Sequence, residues 1–116
     1  MKANELRIGN YVEGESGYVY PFELSDFYDW YNDHNSHLYG DSVKPIPITE
    51  EWLLKFGFVP HPPDTDSFYP YYWRKTIRIN YKENKWYIAH HAVYIHYVHE
   101  LQNLYFALIG EELIIN

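Results

Sequence analysis

The chain has no cysteine, so neither a disulfide framework nor a thiolate metal site is available to it. Its six glycines are dispersed, and none falls in the spacing of a phosphate-binding loop. No G-x-S-x-G occurs, and Ser16 beside Gly17 reads as a turn, so nothing supports a serine or cysteine hydrolase. No apolar run approaches the roughly 18 residues of a membrane span, and "MKANELRIGNYV" has no apolar leader region. The expectation is a soluble, cytoplasmic protein that engages no membrane. Cations are missing from one long stretch as well. Between Arg7 and Lys44 there is no lysine or arginine, yet seven carboxylates occur there: Glu13, Glu15, Glu23, Asp26, Asp29, Asp33 and Asp41. That segment matches the whole net charge of −7.

What is present points to a packed fold. At 116 residues the chain makes one domain, 1–116. A chain of that length buries roughly two-thirds of its unfolded surface. Apolar residues make up 47% and aromatics 21%, which excludes a disordered composition. Fourteen tyrosines and four tryptophans exceed what such a core can hide, so many rings must lie at the surface as contact area. Residues 74–85, "RKTIRINYKENK", carry Arg74, Lys75, Arg78, Lys82 and Lys85 against Glu83 alone. The chain is therefore electrically two-ended, provided the fold keeps its acidic and basic segments apart.

Local patterns define the elements. "ELRIGNYVEG" and "GYVYPFEL" read as two strands, with Gly14, Ser16 and Gly17 turning the chain between them. In "SDFYDWYNDHNSHLYGDS", Ser25 suits the cap of a short helix and the residues after Asn32 read as a loop. Pro45 and Pro47 confine residues 43–48 to an extended connector. Thr49 then suits an N-cap, Glu50 and Glu51 the first turn, and Gly57 the C′ position of a helix over about 49–56. Trp52, Leu53 and Phe56 share one of its faces. "PHPPDTD" reads as a proline-rich loop. "SFYPYYWRKTIRINY" and "KWYIAHHAVYIHYV" read as strands joined by a turn at Glu83–Asn84. Leu101, Leu104, Tyr105 and Leu108 recur at i, i+3, i+4, i+7, which predicts a helix over about 99–109 ended by Gly110. "ELII" follows as a short strand or tail. The fold class expected is α+β, a mostly antiparallel sheet with two helices packed on it.

Three segments are candidates for function. "AHHAVYIHYVHE" holds His90, His91, His96 and His99. Helical zinc hydrolases need histidines at i and i+4, whereas His96 and His99 stand at i and i+3 with Glu100 beyond. On a strand, His90, Tyr94 and His96 share one face, and these histidines could meet His99 and Glu100 at an ion. Nothing in the spacing requires it, and the expectation is no metal, no cofactor and no catalytic residue. A site assembled wholly by the fold leaves no spacing to read.

The second segment is "SDFYDWYNDH". Asp26, Asp29 and Asp33 form an acidic stripe at helical spacing beside Phe27, Trp30 and Tyr31, the composition of an anchor ringed by charge. The competing reading puts these rings in the core and the acids in water. In the third segment, Arg74, Lys75, Arg78 and Lys82 lie among aromatic residues of 71–86, a composition that stacks bases and holds phosphates. Continuous strand alternation would place Arg74, Thr76, Arg78 and Asn80 on one face. The competing reading there is an amphipathic sheet with a solvated side.

Three blocks, "LRIGNYV", "PIPITEEWLLKFGF" and "LQNLYFALIGEEL", together resemble a group of small proteins encoded by bacterial phages, prophages and mobile elements. The resemblance covers about a third of the chain and implies fold and genomic setting. Small acidic proteins in such elements often inhibit host defence, anti-CRISPR proteins among them. One of these, an inhibitor of the type VI RNA-guided RNA nuclease, is similar in size and kind. By that analogy of setting, the resemblance implies a non-enzymatic protein that binds and inhibits a bacterial defence machine such as an RNA-guided nuclease. Its partner would be a host protein or ribonucleoprotein, such as a CRISPR effector with guide RNA, met through Asp26, Phe27, Asp29, Trp30, Tyr31 and Asp33. The alternative is a small RNA- or nucleotide-binding module using residues 71–86.

Overall fold

The structure is a computed structural model that describes residues 5–14, 17–26, 43–61, 71–88 and 93–115. Two tight turns set the register of its larger sheet. The strands run β3 (Val59–His61), β4 (Tyr71–Arg74), β5 (Ile77–Lys82), β6 (Lys85–Ile88) and β7 (Val93–Ile95), each antiparallel to the next in chain order. Glu83 and Asn84 both take positive φ, the requirement of a two-residue turn whose twist matches the flanking strands, and they pair Lys82 with Lys85. A second two-residue turn, Lys75–Thr76, pairs Arg74 with Ile77, with Lys75 at φ 54°. A smaller sheet joins β1 (Tyr11–Glu13) to β2 (Val19–Pro21).

The second turn overturns one expectation. Residues 74–80 are not one continuous strand, so Arg74 faces the side of Ile77, and Arg78 faces the opposite side with Trp73. Val59–His61 is a further difference. The segment expected as a proline-rich loop begins with an edge strand, where Pro60 is tolerated because an edge leaves one row of backbone groups unpaired.

Two helices cover one face of the five-stranded sheet. α1 (Glu50–Lys55) starts where Thr49 accepts the Trp52 amide at 3.4 Å and stops at Gly57, φ +88°. There the Phe58 amide donates to Leu53 O and the Gly57 amide to Leu54 O, the paired bonds of a Schellman ending. α2 (Val98–Ile109) ends on Gly110 in the left-handed conformation. Trp52, Leu53 and Phe56 of the first segment meet Leu101 and Tyr105 of the second over Ile77, Ile79, Ile88 and Ile95 of the sheet. The architecture is α+β, as the patterning requires.

Two details of the helices depart from the patterning. The inward stripe of α2 is Val98, His99, Leu101, Gln102 and Tyr105, with Leu104 half-buried and Leu108 at 44% exposure. Polar His99 and Gln102 take core positions that a hydrophobic count assigns to leucine. Ser25 is not a cap, since it lies inside a helical turn at 24–26 in which the Asp26 carboxylate accepts the Glu23 amide at 2.8 Å. After Gly110 the chain forms no strand and descends as a tail that buries Leu113.

A polar network fastens the start of the chain to α2. Gln102 is fully buried; its Oε1 accepts the Tyr11 amide at 2.8 Å, and its Nε2 donates to Gly9 O and Leu113 O, both at 3.0 Å. Asn10 donates to Asn103 Oδ1 at 2.9 Å, and Arg7 lies 3.9 Å over the Phe106 ring while pairing with Glu112. Gly9, at φ +95°, is third in the Arg7–Asn10 turn, the position that demands a left-handed residue. "LRIGNYV" and "LQNLYFALIGEEL" are thus adjoining parts of one scaffold.

Candidate binding face

Turn register places one side-chain row across the whole outer face of the larger sheet. His61 pairs with Tyr71, Tyr71 with Asn80, Asn80 with Tyr87, and Tyr87 with Tyr94. Directly opposed residues of an antiparallel sheet share a face, so these five form a line about 19 Å long over five strands. His61 and Tyr71 stack with ring centres 4.4 Å apart, and Tyr87 meets Tyr94 edge-on at 6.1 Å. Trp73, 44% exposed, and Arg78 flank the row on one side, with Lys82 and Lys85 on the other.

Charge on these strands runs against the chain as a whole. The strands β3 to β7 contain Arg74, Arg78, Lys82 and Lys85 and no carboxylate. Arg78 lies 3.8 Å over the Tyr71 ring, and Lys85 lies 5.2 Å over Tyr94, so the cations are spread among the rings. Two polar atoms in this region find no partner among the described residues. Arg78 Nε and Asn80 Oδ1 are buried and make no hydrogen bond among the described residues. Asn80 is only 7% exposed, an unusual place for an unpaired amide oxygen.

The basic residues singled out from sequence separate into two groups. Arg74 is on the core side, donating from Nε to the Tyr105 hydroxyl at 3.0 Å. Lys75, in the turn, pairs with Glu111 at 2.6 Å and holds that carboxyl below the usual range, by its hydrogen bond first and its charge second. Arg78 and Lys82 belong to the outer face. Lys85, counted in the basic segment but not among the candidate RNA contacts, joins them there with Tyr87, Tyr94 and His61. A hairpin turn of Lys and Thr carries no glycine or asparagine signal, so the register that aligns them is hard to read.

The histidine segment is divided by the fold. Glu100 is not placed as a ligand: its Oε1 accepts the amides of His96 and Tyr97, both at 2.9 Å, and so caps α2. His99 points the other way into the core, where burial pushes its pKa down against the pull of Glu100. Its Nδ1 is buried without a partner among the described residues, and its ring stacks on Tyr97 at 5.8 Å. Among the described residues no three histidine or carboxylate groups gather around a point that would hold an ion. His90 and His91 are outside the described residues, as are Phe27, Asp29, Trp30, Tyr31 and Asp33 of the acidic-aromatic segment. Asp26 is described, half-buried and engaged with Glu23. Among the described residues no helix is long and apolar enough to cross a membrane.

Comparison with protein-family models, with curated proteins and with solved structures found no match.

Proposed function

We propose that the protein is a non-enzymatic binding protein whose outer sheet face takes single-stranded RNA, free or held in a ribonucleoprotein. The observation that carries this reading is the His61–Tyr71–Asn80–Tyr87–Tyr94 row, flanked by cations on strands without carboxylates. Unpaired bases stack on aromatic rings and arginine planes, and lysines hold phosphates, with affinity that needs no base-specific contact. A chain of net charge −7 attracts a polyanion only through such a local face. The likeness to mobile-element proteins supplies the setting. The target would be a bacterial RNA-guided defence nuclease, inhibited when this face covers its guide RNA and the acidic-aromatic segment 26–33 meets its protein part.

Anisotropy of a labelled oligouridine, titrated with the protein at several salt concentrations, tests the RNA contact. The double variant Arg78→Ala with Tyr87→Ala should weaken binding by about tenfold or more, since one base stack alone contributes about 1–3 kcal/mol. Its salt slope should become shallower by about one unit, because the variant neutralises one phosphate fewer. Equal binding by wild type and variant would remove the sheet face from consideration. For the inhibitor setting, capture from a bacterial lysate with and without ribonuclease is decisive. A nuclease partner that is captured by wild type, and no longer captured once Asp26, Asp29 and Asp33 are reversed to lysine, supports it. RNA recovered with no protein partner sinks it.

A further inference from the structure

Where the β5–β6 turn meets the chain entering α1, an open groove of about 600 Å³ lies on the helix side of the sheet. We propose that this groove is a guanine-binding pocket, taking the base of a guanosine nucleotide against its aromatic lining with Glu50 on the hydrogen-bonding edge of the base. This goes beyond the sheet-face reading, because the groove lies on the opposite side and shares only Lys85 with the outer face.

Tyr81, Trp86 and Tyr97 give the groove aromatic walls, and Ile48 and Ile95 line it with them. Trp86 is fixed rather than free: its ring centre lies 4.5 Å from that of Tyr81 and 5.6 Å from that of Tyr72. A planar, apolar-faced ligand edged with polar atoms suits such walls, and a nucleobase has that form. The volume accepts a purine with part of its ribose and still opens to solvent.

Selectivity follows from one carboxylate. Tyr72 donates its hydroxyl to Glu50 Oε2 at 2.7 Å and so holds the carboxylate in place. Burial, then the Glu50 hydrogen bond and charge, push the Tyr72 hydroxyl up to about 12, so the proton stays on the tyrosine at any physiological pH. An ionised carboxylate accepts only, at about four lone-pair positions, and the one bond from Tyr72 leaves most of them open. Guanine alone among the bases presents two adjacent donors, N1–H and the N2 amino group, as a matched pair for a carboxylate. Adenine and cytosine set an acceptor nitrogen beside their amino group, and uracil flanks its single N–H with two carbonyls; each repels the second oxygen. Two further groups suit the rest of a nucleotide. The Asn84 oxygen is taken by the Tyr81 hydroxyl at 3.1 Å, so its amide N–H groups remain as donors. Lys85 lines the groove while its Nζ lies 5.2 Å over Tyr94 on the outer face, a position from which it can meet a phosphate on either side.

The test is a titration with guanosine, adenosine, cytidine and uridine 5′-monophosphates, followed by the indole N–H resonance of Trp86 in a 15N-labelled sample. Guanosine monophosphate should move that resonance and bind at least about tenfold more tightly than the other three, the discrimination expected of a bidentate pair. Inosine monophosphate, without the N2 amino group, should bind between the two. Glu50→Gln should erase the preference while leaving the amide spectrum otherwise intact, because Thr49 still caps the helix. Equal affinity for guanosine and adenosine monophosphates, or a preference that survives Glu50→Gln, would overturn the proposal. So would a Trp86 shift produced by a proline-rich peptide and by none of the nucleotides. Oligouridine binding, scored separately through Arg78→Ala, keeps failure here distinct from failure of the sheet face. An oligouridine given one guanosine then reports the source: tighter binding than plain oligouridine assigns the groove to RNA, and an unchanged affinity with bound mononucleotide assigns it to free guanosine nucleotides.

Discussion

Gln102 offers the most direct test of how the termini are held. Its side chain makes three hydrogen bonds from a position 1% exposed, to the Tyr11 amide, Gly9 O and Leu113 O. Gln102→Met keeps the volume and helix propensity but removes every polar atom. Leu113 O then loses its partner in a fully buried setting, while Tyr11 and Gly9 lie in half-buried ones. A buried group left unsatisfied costs about 1–3 kcal/mol, and the half-buried pair less because water reaches them. The total of about 2–6 kcal/mol is a large part of a typical domain's 5–15 kcal/mol. Urea denaturation followed by far-UV circular dichroism reads the loss, and hydrogen exchange at the Tyr11 amide should accelerate more than at Ile79. Gln102→Glu adds a sign that packing alone does not give. Its carboxylate would face two carbonyl oxygens, so the folded pKa would rise above the ordinary glutamate value. The folded state then binds the extra proton, and the variant should gain stability as pH falls through that raised pKa. A methionine variant melting within about 0.5 kcal/mol of wild type would refute the network's importance, since that is the range of an inert substitution.

The parts legible in the sequence are those with a local cause. Thr49, Gly57 and the Trp52–Leu53–Phe56 face needed only capping chemistry and a helical period, and α1 follows them. Glu83–Asn84 needed only a turn signal. Where the cause is non-local, reading by period misleads. Leu108 fits the i, i+7 stripe, but the sheet lies on the Leu101–Tyr105 side, and Gln102 is drawn inward by backbone groups of Gly9 and Leu113. The binding row was illegible for a related reason. Its members come from five strands, and the Lys75–Thr76 turn that aligns Tyr71 with Asn80 has no glycine, asparagine or proline to announce it. Arg74 and Arg78 consequently look like one basic face in sequence and stand on opposite faces in space. Glu100 likewise reads as a fourth ligand beside His90, His96 and His99, until its oxygen is found on the first amides of α2.

Leu101→Ala should destabilise the fold by about 2–5 kcal/mol, whereas exposed Leu108→Ala should stay within about 0.5 kcal/mol; matched denaturant curves for the two variants would expose a wrong helix orientation. Arg74→Ala should lower stability through loss of its bond to Tyr105 yet leave oligouridine affinity unchanged, and an RNA defect in that variant would contradict its placement on the core side. His99 sets a pH dependence whose sign is fixed by its burial. Desolvation lowers its folded pKa below the ordinary 6.5, outweighing the opposite pull of Glu100 and Glu5. Between that lowered value and 6.5 the unfolded chain binds a proton that the folded chain refuses. Stability is therefore fully present above 6.5 and declines as pH falls through that window, levelling only below the folded pKa. Thermal melts from about pH 7.5 down to about 5 should fall more steeply for wild type than for His99→Gln, whose side chain has no proton to gain. Parallel curves for the two proteins would mean that His99 is solvated and that its unpaired Nδ1 is satisfied by water.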